Sequence, residues 1–398
     1  MALTDYKVQY DNAYEEIFQR TLVAKEIMNT RFEPMLTVGG SVTRMAMDLS
    51  GVLVRTVVRG SASTIDAITD STETLTVNLE KEAVFYISDG EAKQAGNLNP
   101  GEFAGKNIAL KVALDLDGRC FGEIRNALYS FDNGDLTTGT SSGTAITLSS
   151  TTVPQMTTRL GAKLRNKNNQ EVMTNMALVV DSYAASDISQ FIISKNIDIA
   201  GATFKNGYVG DVGSAQMYIS ENLPCDVVIT SSGTASDGET ITVNGVVLTL
   251  KTTLGSTPGN VLIGANAAAT ITNLAAFISA PTVTTAQGVA LTVAADIAAL
   301  NGIAGVATSA TVLTLNGTGT GRIVVTETMA DFAVTSTTLL GYYGKKGAID
   351  LVIQDNKPVD MRITTDRRGT NVFSSYLAGI KTFADGAKKF LRVKILVA

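Results

Sequence analysis

The chain has 398 residues, 45% of them hydrophobic, a formal net charge of -5, and neither His nor Trp. Such a length and apolar share support two or three folded domains, while the missing imidazole removes the commonest general base near neutrality and the commonest catalytic zinc ligand. The acidic balance argues against a freely soluble nucleic-acid binder, although it leaves room for one basic face.

Met1 to Gln9 lacks the basic and apolar regions of a secretory signal, which predicts folding in a cytoplasm. Asp11 or Asn12 can then cap a helix with the stripe Tyr14, Ile17, Phe18, Leu22, Ala24 and Met28, limited by Pro34. Val52 to Arg59 alternates as a strand, with Val52, Val54, Thr56 and Val58 on one face and Arg55 and Arg59 on the other. Leu75 to Leu79 and Val84 to Ile87 alternate in the same way, and the polar stretch Gly60 to Glu73 between them makes the region a long hairpin or β-loop. A two-stranded ribbon is marginal alone in water, so it should lie on something, such as a neighbouring subunit.

After Pro100 and Gly101, Phe103, Leu110, Leu114, Phe121, Ile124 and Leu128 recur at helical steps over roughly 40 Å, with a break at Asp117 and Gly118. Asn133-Gly134 marks a turn, and the Thr, Ser and Gly run to Ser150 reads as a loop or edge hairpin around Ile146 and Leu148. Thr152, just before Pro154, starts a helix through Leu160 and Leu164. Met176 to Val180 is a short apolar strand, and Asp181 and Ser182 can cap a helix containing Ile188, Phe191 and Ile192. Ala215 to Ser220 is a further strand, with Ala348 to Ile353 as its expected partner. Leu391, Val393, Ile395 and Val397 line one face of a closing strand. Cys120 and Cys225 fall in different elements far apart in sequence and read as reduced thiols.

Between Asp226 and Thr338 the text changes. The basic residues there are Lys251 and Arg322 alone, and the rest is mostly Ala, Thr, Gly, Ser, Val, Ile, Leu and Asn. Phe204 to Pro224 and Leu340 to Val359 read as one design interrupted by a guest at a surface turn. Within it, Asn244-Gly245 between Ile241 to Val243 and Val246 to Leu250 is a strong hairpin signal, and Asn316-Gly317 repeats it between Leu313 to Leu315 and Arg322 to Val325. A helix from Ala267 to Ile278 buries Ile271, Leu274, Ala275 and Ile278. The uncharged stretch Ala267 to Thr292 is broken by Pro281 and polar residues, which argues against a membrane span.

No residue pattern carries enzyme chemistry, and catalytic, cofactor and metal residues are all expected to be none. Gly101 to Lys106 has the wrong spacing for a phosphate-binding loop and ends in Asn107. Gly317, Gly319 and Gly321 follow a turn rather than open a helix, so they read as a flexible turn. Asp115 and Asp117 share a helix but face different directions, and they read as solvated or interface charges. The basic clusters Arg159 to Lys167, Lys345 and Lys346, Arg367 and Arg368, and Lys388 to Lys394 suit intersubunit salt bridges, plain solvation or DNA contact.

The order of arm, long β-loop, long helix, mixed domain and closing strand resembles the major capsid proteins of tailed double-stranded DNA bacteriophages, the HK97-like fold. The wording is similar as well, in "LTVNLEKEAVFYISDGEAKQ", "MALVVDSYAASDI", "FKNGYVGDVGSAQMYISENLP" and "GYYGKKGAIDLVIQ". "DGETITVNGVVLTLKTT" and "NAAATITNLAAFISA" resemble a small module found in phage capsid and tail proteins. The resemblance implies an α+β fold divided into an N-terminal arm and helix (1-50), an extended E-loop (51-100), a spine helix with peripheral and axial domains (101-225 and 339-398), and a small β-rich α+β insertion domain on the outer surface (226-338). It further implies no enzymatic activity and no cofactor, and self-assembly into hexamers and pentamers that close an icosahedral shell around phage DNA. The implied partners are a separate scaffolding protein, since no long charged helical segment precedes Asp11, a portal, a decoration protein and packaged DNA touched nonspecifically, with no membrane. The place would be the virion capsid, assembled in the host bacterial cytoplasm. The alternative is a phage tail or baseplate protein with a surface adhesion module.

Overall fold

The computed structural model describes residues 22–36, 40–48, 52, 54–56, 59–60, 62, 65–66, 69–88, 100–167, 174–194, 208–212, 215–363 and 368–397. The described chain begins with a short helix, α1 (Val23–Ile27), a 3-10 turn (Glu33–Met35) with Pro34 in it, and strands β1 (Ser41–Asp48), β2 (Thr69–Thr76) and β3 (Leu79–Ser88). Helix α2 (Pro100–Gly122) opens on Pro100, whose fixed φ and missing N–H suit a first turn. A 3-10 turn (Glu123–Asn126) leads from it to β4 (Tyr129–Phe131). There follow α3 (Asn133–Thr137), α4 (Thr152–Lys167), β5 (Met176–Val180), α5 (Ser182–Ser194), β6 (Tyr208–Val212), β7 (Ala215–Ile219) and β8 (Cys225–Ser231). Next come β9 (Thr240–Val243), β10 (Val246–Lys251), β11 (Asn260–Leu262), α6 (Ala267–Ser279), α7 (Ala294–Leu300), β12 (Ile303–Ser309), β13 (Val312–Gly317) and β14 (Val325–Glu327). The last elements are β15 (Phe332–Lys345), β16 (Asp350–Ile363), β17 (Gly369–Lys381), α8 (Ala384–Ala387) and β18 (Phe390–Leu396).

These elements fall into two units, making an α+β chain. The first unit includes Ile27–Val112 and Gly347–Lys389. There β1 and β2 form an antiparallel ribbon in unbroken register from Ser41↔Thr76 to Asp48↔Thr69, and β16, β17 and β3 form a three-stranded antiparallel sheet. The core beside them is small: Leu36, Leu75, Val77, Val352 and Phe383, with Phe32, Val42 and Leu377 packed on it. Phe32 meets Phe383 edge to face, 6.2 Å between ring centroids. Among the described residues of the ribbon, those that share this core, Val42 and Leu75, lie at its base. There Gly379 of β17 lies so near the ribbon that a Cβ would stand 2.8 Å from the Thr76 carbonyl oxygen, so a larger residue would push the ribbon off the sheet.

The second unit includes Phe18–Glu26, Ala113–Lys346 and Phe390–Ala398. Its nine-stranded sheet runs β12-β13-β8-β15-β5-β7-β6, with β18 beside β15 and β4 beside β18. The seam is β15, which pairs with β8 from Phe332 to Leu339, with β18 from Thr338 to Gly344, and with β5 from Tyr342 to Lys345. The main core gathers Met156, Leu160 and Leu164 of α4, Ile188 of α5, Leu178 and Val180 of β5, and Leu391, Val393 and Ile395 of β18. Those spacings are the reason for the elements: steps of four on a helix and of two on a strand each put the apolar residues on one side. Asp181 caps α5, accepting the Ala184 N–H at 3.0 Å.

Residues 226–338 contribute to two sheets. Strands β11, β10, β9 and β14 form a sheet of their own, whereas β12, β13, β8 and the first half of β15 belong to the nine-stranded one. The β9–β10 hairpin turns at Asn244 and Gly245, with φ of 48° and 85°, the positive pair that a type I′ turn requires. Helix α6 is capped by Asn266 and buries Ile271, Leu274, Ala275 and Ile278, as the sequence predicts.

Elsewhere the structure differs from the sequence reading. The helix expected from Asp11 lies outside the described residues except for its end, where α1 is helical. Of the expected strand Val52 to Arg59, the described positions carry no strand, and β2 pairs instead with Ser41–Asp48, whose Thr, Arg and Asp residues hide the alternation. Asp117 and Gly118 do not break α2. Of the expected stripe, Phe121 and Ile124 are buried, but Leu110, Leu114 and Leu128 are 41%, 38% and 55% exposed, and Ala109, Ala113, Leu116 and Cys120 are buried in their place. Ala348 to Ile353 is not the partner of β7, which lies between β5 and β6, whereas β16 pairs with β17. Periodicity identifies a strand without naming its neighbour. Asn316-Gly317 is not a turn but the end of β13, paired on both sides, with Gly317 opposite Ile303 and Cys225.

Candidate functional site

The first unit carries the ribbon of β1 and β2. Beyond the paired strands, Val52, Val54 and Ile65 are 46%, 104% and 92% exposed. Arg55 and Asp66 join there in a bidentate pair at 2.7 and 2.6 Å, which holds the chain's two sides together without burying apolar surface. At the base, the ion pair of Arg44 with Asp385, the stacking of Arg44 over the Phe383 ring and the Ala384 N–H donated to Glu73 tie β1 and β2 to the turn at α8. Burial pushes the Asp385 carboxyl up, but Arg44 and Lys389 outweigh it and hold the group below the usual range. Asp350, at the start of β16, is pushed up by burial although Arg31 and the Asn29 amide oppose this. Its 2.5 Å bond from Asn29 Nδ2 anchors the segment after α1.

The second unit holds a connected set of polar and close backbone contacts around the end of α2. Gly118 and Gly319 touch backbone to backbone; a Cβ on Gly118 would lie 2.6 Å from Gly319 Cα. Gly122 admits the Thr318 methyl in the same way. Arg125 pairs with Asp226 at 2.6 Å and donates to the Gly317 carbonyl at 2.8 Å, while Arg392 donates to the Arg125 carbonyl. Arg322 reaches Asp181 at 2.5 Å and lies over the Tyr183 ring. Segment 318–322 is thus a packed joint and not the flexible turn its glycines suggest. Gly321 is left-handed with a Cβ position 2.2 Å from the Glu221 carbonyl oxygen, so glycine is needed there for two reasons. The Cys225 thiol is pushed up to about 11 and that of Cys120 well above its ordinary range, chiefly by burial, so both are inert free thiols.

The charged residues singled out from the sequence mostly find partners within the chain. Asp115 pairs with Arg119 one turn on. Asp117 is not a solvated charge: it is 1% exposed and accepts the Val23 and Ala24 N–H groups at 3.1 and 3.0 Å. Burial pushes its carboxyl up to about 7, against those two hydrogen bonds. From the basic clusters, Lys163 binds Asp135, Arg159 the Asp135 carbonyl, Lys346 the Gln216 and Tyr218 side chains, Lys389 Asp385, and Lys394 the Gly143 carbonyl. These contacts satisfy inside one chain what the sequence assigns first to neighbouring subunits; Arg367 lies outside the described residues. Asn133-Gly134, read from the sequence as a turn, is instead the first turn of α3, capped by Asp132, which also accepts the Ser142 and Gly143 N–H groups of the loop that follows. Burial raises that carboxyl, but the N–H groups of Ser142, Gly143 and Gly134 and the Lys163 charge outweigh it and keep the group low. Asp132 carries a local signal, the box it forms with Asp135 at the start of α3, whereas none marks the joint at Gly118.

Among the described residues, no three His, Cys, Asp or Glu side chains are grouped to hold a metal ion, and no helix is long and apolar enough to cross a membrane. The chain is similar to a solved structure from Mycobacterium phage Che8 at 13% identity and a TM-score of 0.46, covering 93% of this chain and 90% of that one. It is also similar to the capsid structure of cyanophage P-SCSP1u, at 14% identity, a TM-score of 0.45, and 91% and 84% coverage. A third similar structure is the capsid of Ralstonia phage GP4, at 7% identity, a TM-score of 0.45, and 93% and 87% coverage. No family model and no curated protein matches the chain.

Proposed function

We propose that this chain is the major capsid protein of a tailed double-stranded DNA bacteriophage with an HK97-like fold, a structural subunit without catalytic chemistry. The observation that carries the reading is the ribbon: among the described residues β1 and β2 meet the core at their base, and they lead to Val54 and Ile65, almost fully in water. A projection of this kind is marginal alone, and a second copy of the chain supplies the missing surface. The order of ribbon, 23-residue helix, mixed sheet and closing strand supports the same reading. In it, the ribbon of β1 and β2 forms the loop laid over a neighbour while β3 stays in the sheet with β16 and β17, α2 is the spine, 101-225 and 339-398 form the peripheral and axial parts, and 226-338 is the surface insertion. Hexamers and pentamers close the shell in the host cytoplasm with a separate scaffolding protein and a portal, and the finished wall meets DNA nonspecifically.

The test is electron microscopy of the expressed chain beside the double variant Val54→Asp, Ile65→Asp. The native chain should form closed shells or curved sheets of hexamers, and the variant should remain as small soluble species with unchanged circular dichroism. Tubes or rings without curved sheets would replace this reading with a tail or baseplate protein. Normal shells from the variant would remove the ribbon from the argument.

A further inference from the structure

Asn-Gly recurs along the chain, at Asn133, Asn206, Asn244, Asn301 and Asn316, of which Asn206 lies outside the described residues. An asparagine before glycine is open to attack by the glycine's own nitrogen, which no side chain shields, and the fold decides whether that happens. The pairs at Asn133, Asn244 and Asn316 are held. The Gly134 N–H donates to Asp132 Oδ1 and Ser142 Oγ, each at 3.1 Å. The Asn244 side chain is tied at both ends, accepting from the Val324 N–H and donating to the Ala299 carbonyl. Asn316 and Gly317 are paired on both sides within the sheet, and Gly317 is buried.

Asn301-Gly302, between α7 and β12, is different. Both residues are exposed. The Asn301 side chain, the Asn301 carbonyl and the Gly302 N–H make no hydrogen bond among the described residues, so the peptide plane that joins the two is untethered. Asn301 has φ -63° and ψ 133°, which turns the Gly302 nitrogen away from the side chain, while Gly302 sits at φ +81°. A swing of this one plane changes ψ of Asn301 and φ of Gly302 in opposite senses and leaves α7 and β12 in place. Glycine tolerates φ on either side of zero, so the swing meets little resistance and carries the Gly302 nitrogen toward Asn301 Cγ.

We propose that Asn301 is a site of spontaneous covalent modification, deamidation through a cyclic imide. The Gly302 nitrogen, its proton lost to water or hydroxide, attacks Asn301 Cγ; the new N–Cγ bond closes a ring, the Cγ–Nδ2 bond breaks, and Nδ2 takes a proton from solvent and leaves as ammonia. Water then adds to one of the two ring carbonyls. Breaking the bond from nitrogen to Cγ gives aspartate, and breaking the bond from nitrogen to the main-chain carbonyl carbon gives isoaspartate, with the chain routed through Cβ and Cγ. In sum, water is taken up and ammonia released, without oxidant or reductant. Either product adds a negative charge, and isoaspartate also lengthens the chain beside the Gly302 carbonyl, which accepts the Thr318 N–H at 2.8 Å. The strain is thereby directed at Thr318, whose methyl fills the gap at Gly122.

Peptide mapping by mass spectrometry tests this on the full chain, incubated folded and, as the reference, in guanidinium chloride. In denaturant the Asn-Gly pairs should react at similar rates. In the folded chain Asn301 should keep its rate within about threefold, while Asn133, Asn244 and Asn316 should slow at least about tenfold, because each must first break hydrogen bonds. The product at Asn301 should include isoaspartate. Slowing of Asn301 by about tenfold on folding, folded rates at any of the held pairs equal to that at Asn301, or aspartate without isoaspartate would each overturn the proposal.

Discussion

Replacing Gly319 with Ala separates two reasons for a glycine that usually come together. Gly319 has φ of +67°, and a Cβ placed there would lie 2.3 Å from Gly118 Cα and 2.7 Å from its carbonyl carbon. The left-handed backbone alone costs about 1 kcal/mol for a non-glycine residue, and forcing a methyl against a helix backbone adds about 1–3 kcal/mol. The sum, about 3 kcal/mol, should appear as a lowered urea midpoint with an unchanged slope. Far-ultraviolet circular dichroism suits the measurement because the chain has no Trp. Two companions divide the effect. Gly139→Ala has the same kind of backbone, φ +74°, with nothing within 4 Å, so it should lose only about 1 kcal/mol. Gly118→Ala keeps a helical backbone and gains about 1 kcal/mol of helix propensity, but its Cβ would stand 2.6 Å from Gly319 Cα, leaving a net loss near 1 kcal/mol. If Gly319→Ala is no worse than Gly139→Ala, the two backbones do not touch in solution, and the packed joint at the end of α2 is wrong.

Arg322→Leu should destabilise the second unit by about 3 kcal/mol, because it leaves Asp181, whose side chain is 1% exposed, without a cation; an unchanged thermal midpoint would show that the pair does not form. Asn244→Ala loses a left-handed turn residue at φ 48°, the acceptor for the Val324 N–H at 2.9 Å and the donor to the Ala299 carbonyl at 3.2 Å. A drop of about 2–3 kcal/mol in denaturation is expected, and Asn244→Gly should recover only the backbone part. Equal losses for the two would assign the whole effect to the side-chain bonds.

The sequence by itself determined the elements whose cause is local. The Asn244-Gly245 turn needs two adjacent residues that accept positive φ, the buried stripes of α4 and α6 need only helical spacing, and β18 needs only alternation; each was legible without a partner. Tertiary structure decided what those elements meet. The strand partners of β2 and β16, the role of Asn316-Gly317 inside a sheet, and the inward turn of Ala109, Ala113 and Cys120 in place of the leucines all depend on which backbone comes alongside. Asp117 is the clearest case. Its neighbours in sequence describe an ordinary helix position, and its burial follows from Val23 and Ala24, more than ninety residues away. Hydrogen-bond partners and close backbone approaches are set by residues remote in the chain, and no periodicity along α2 encodes that α1 will end there.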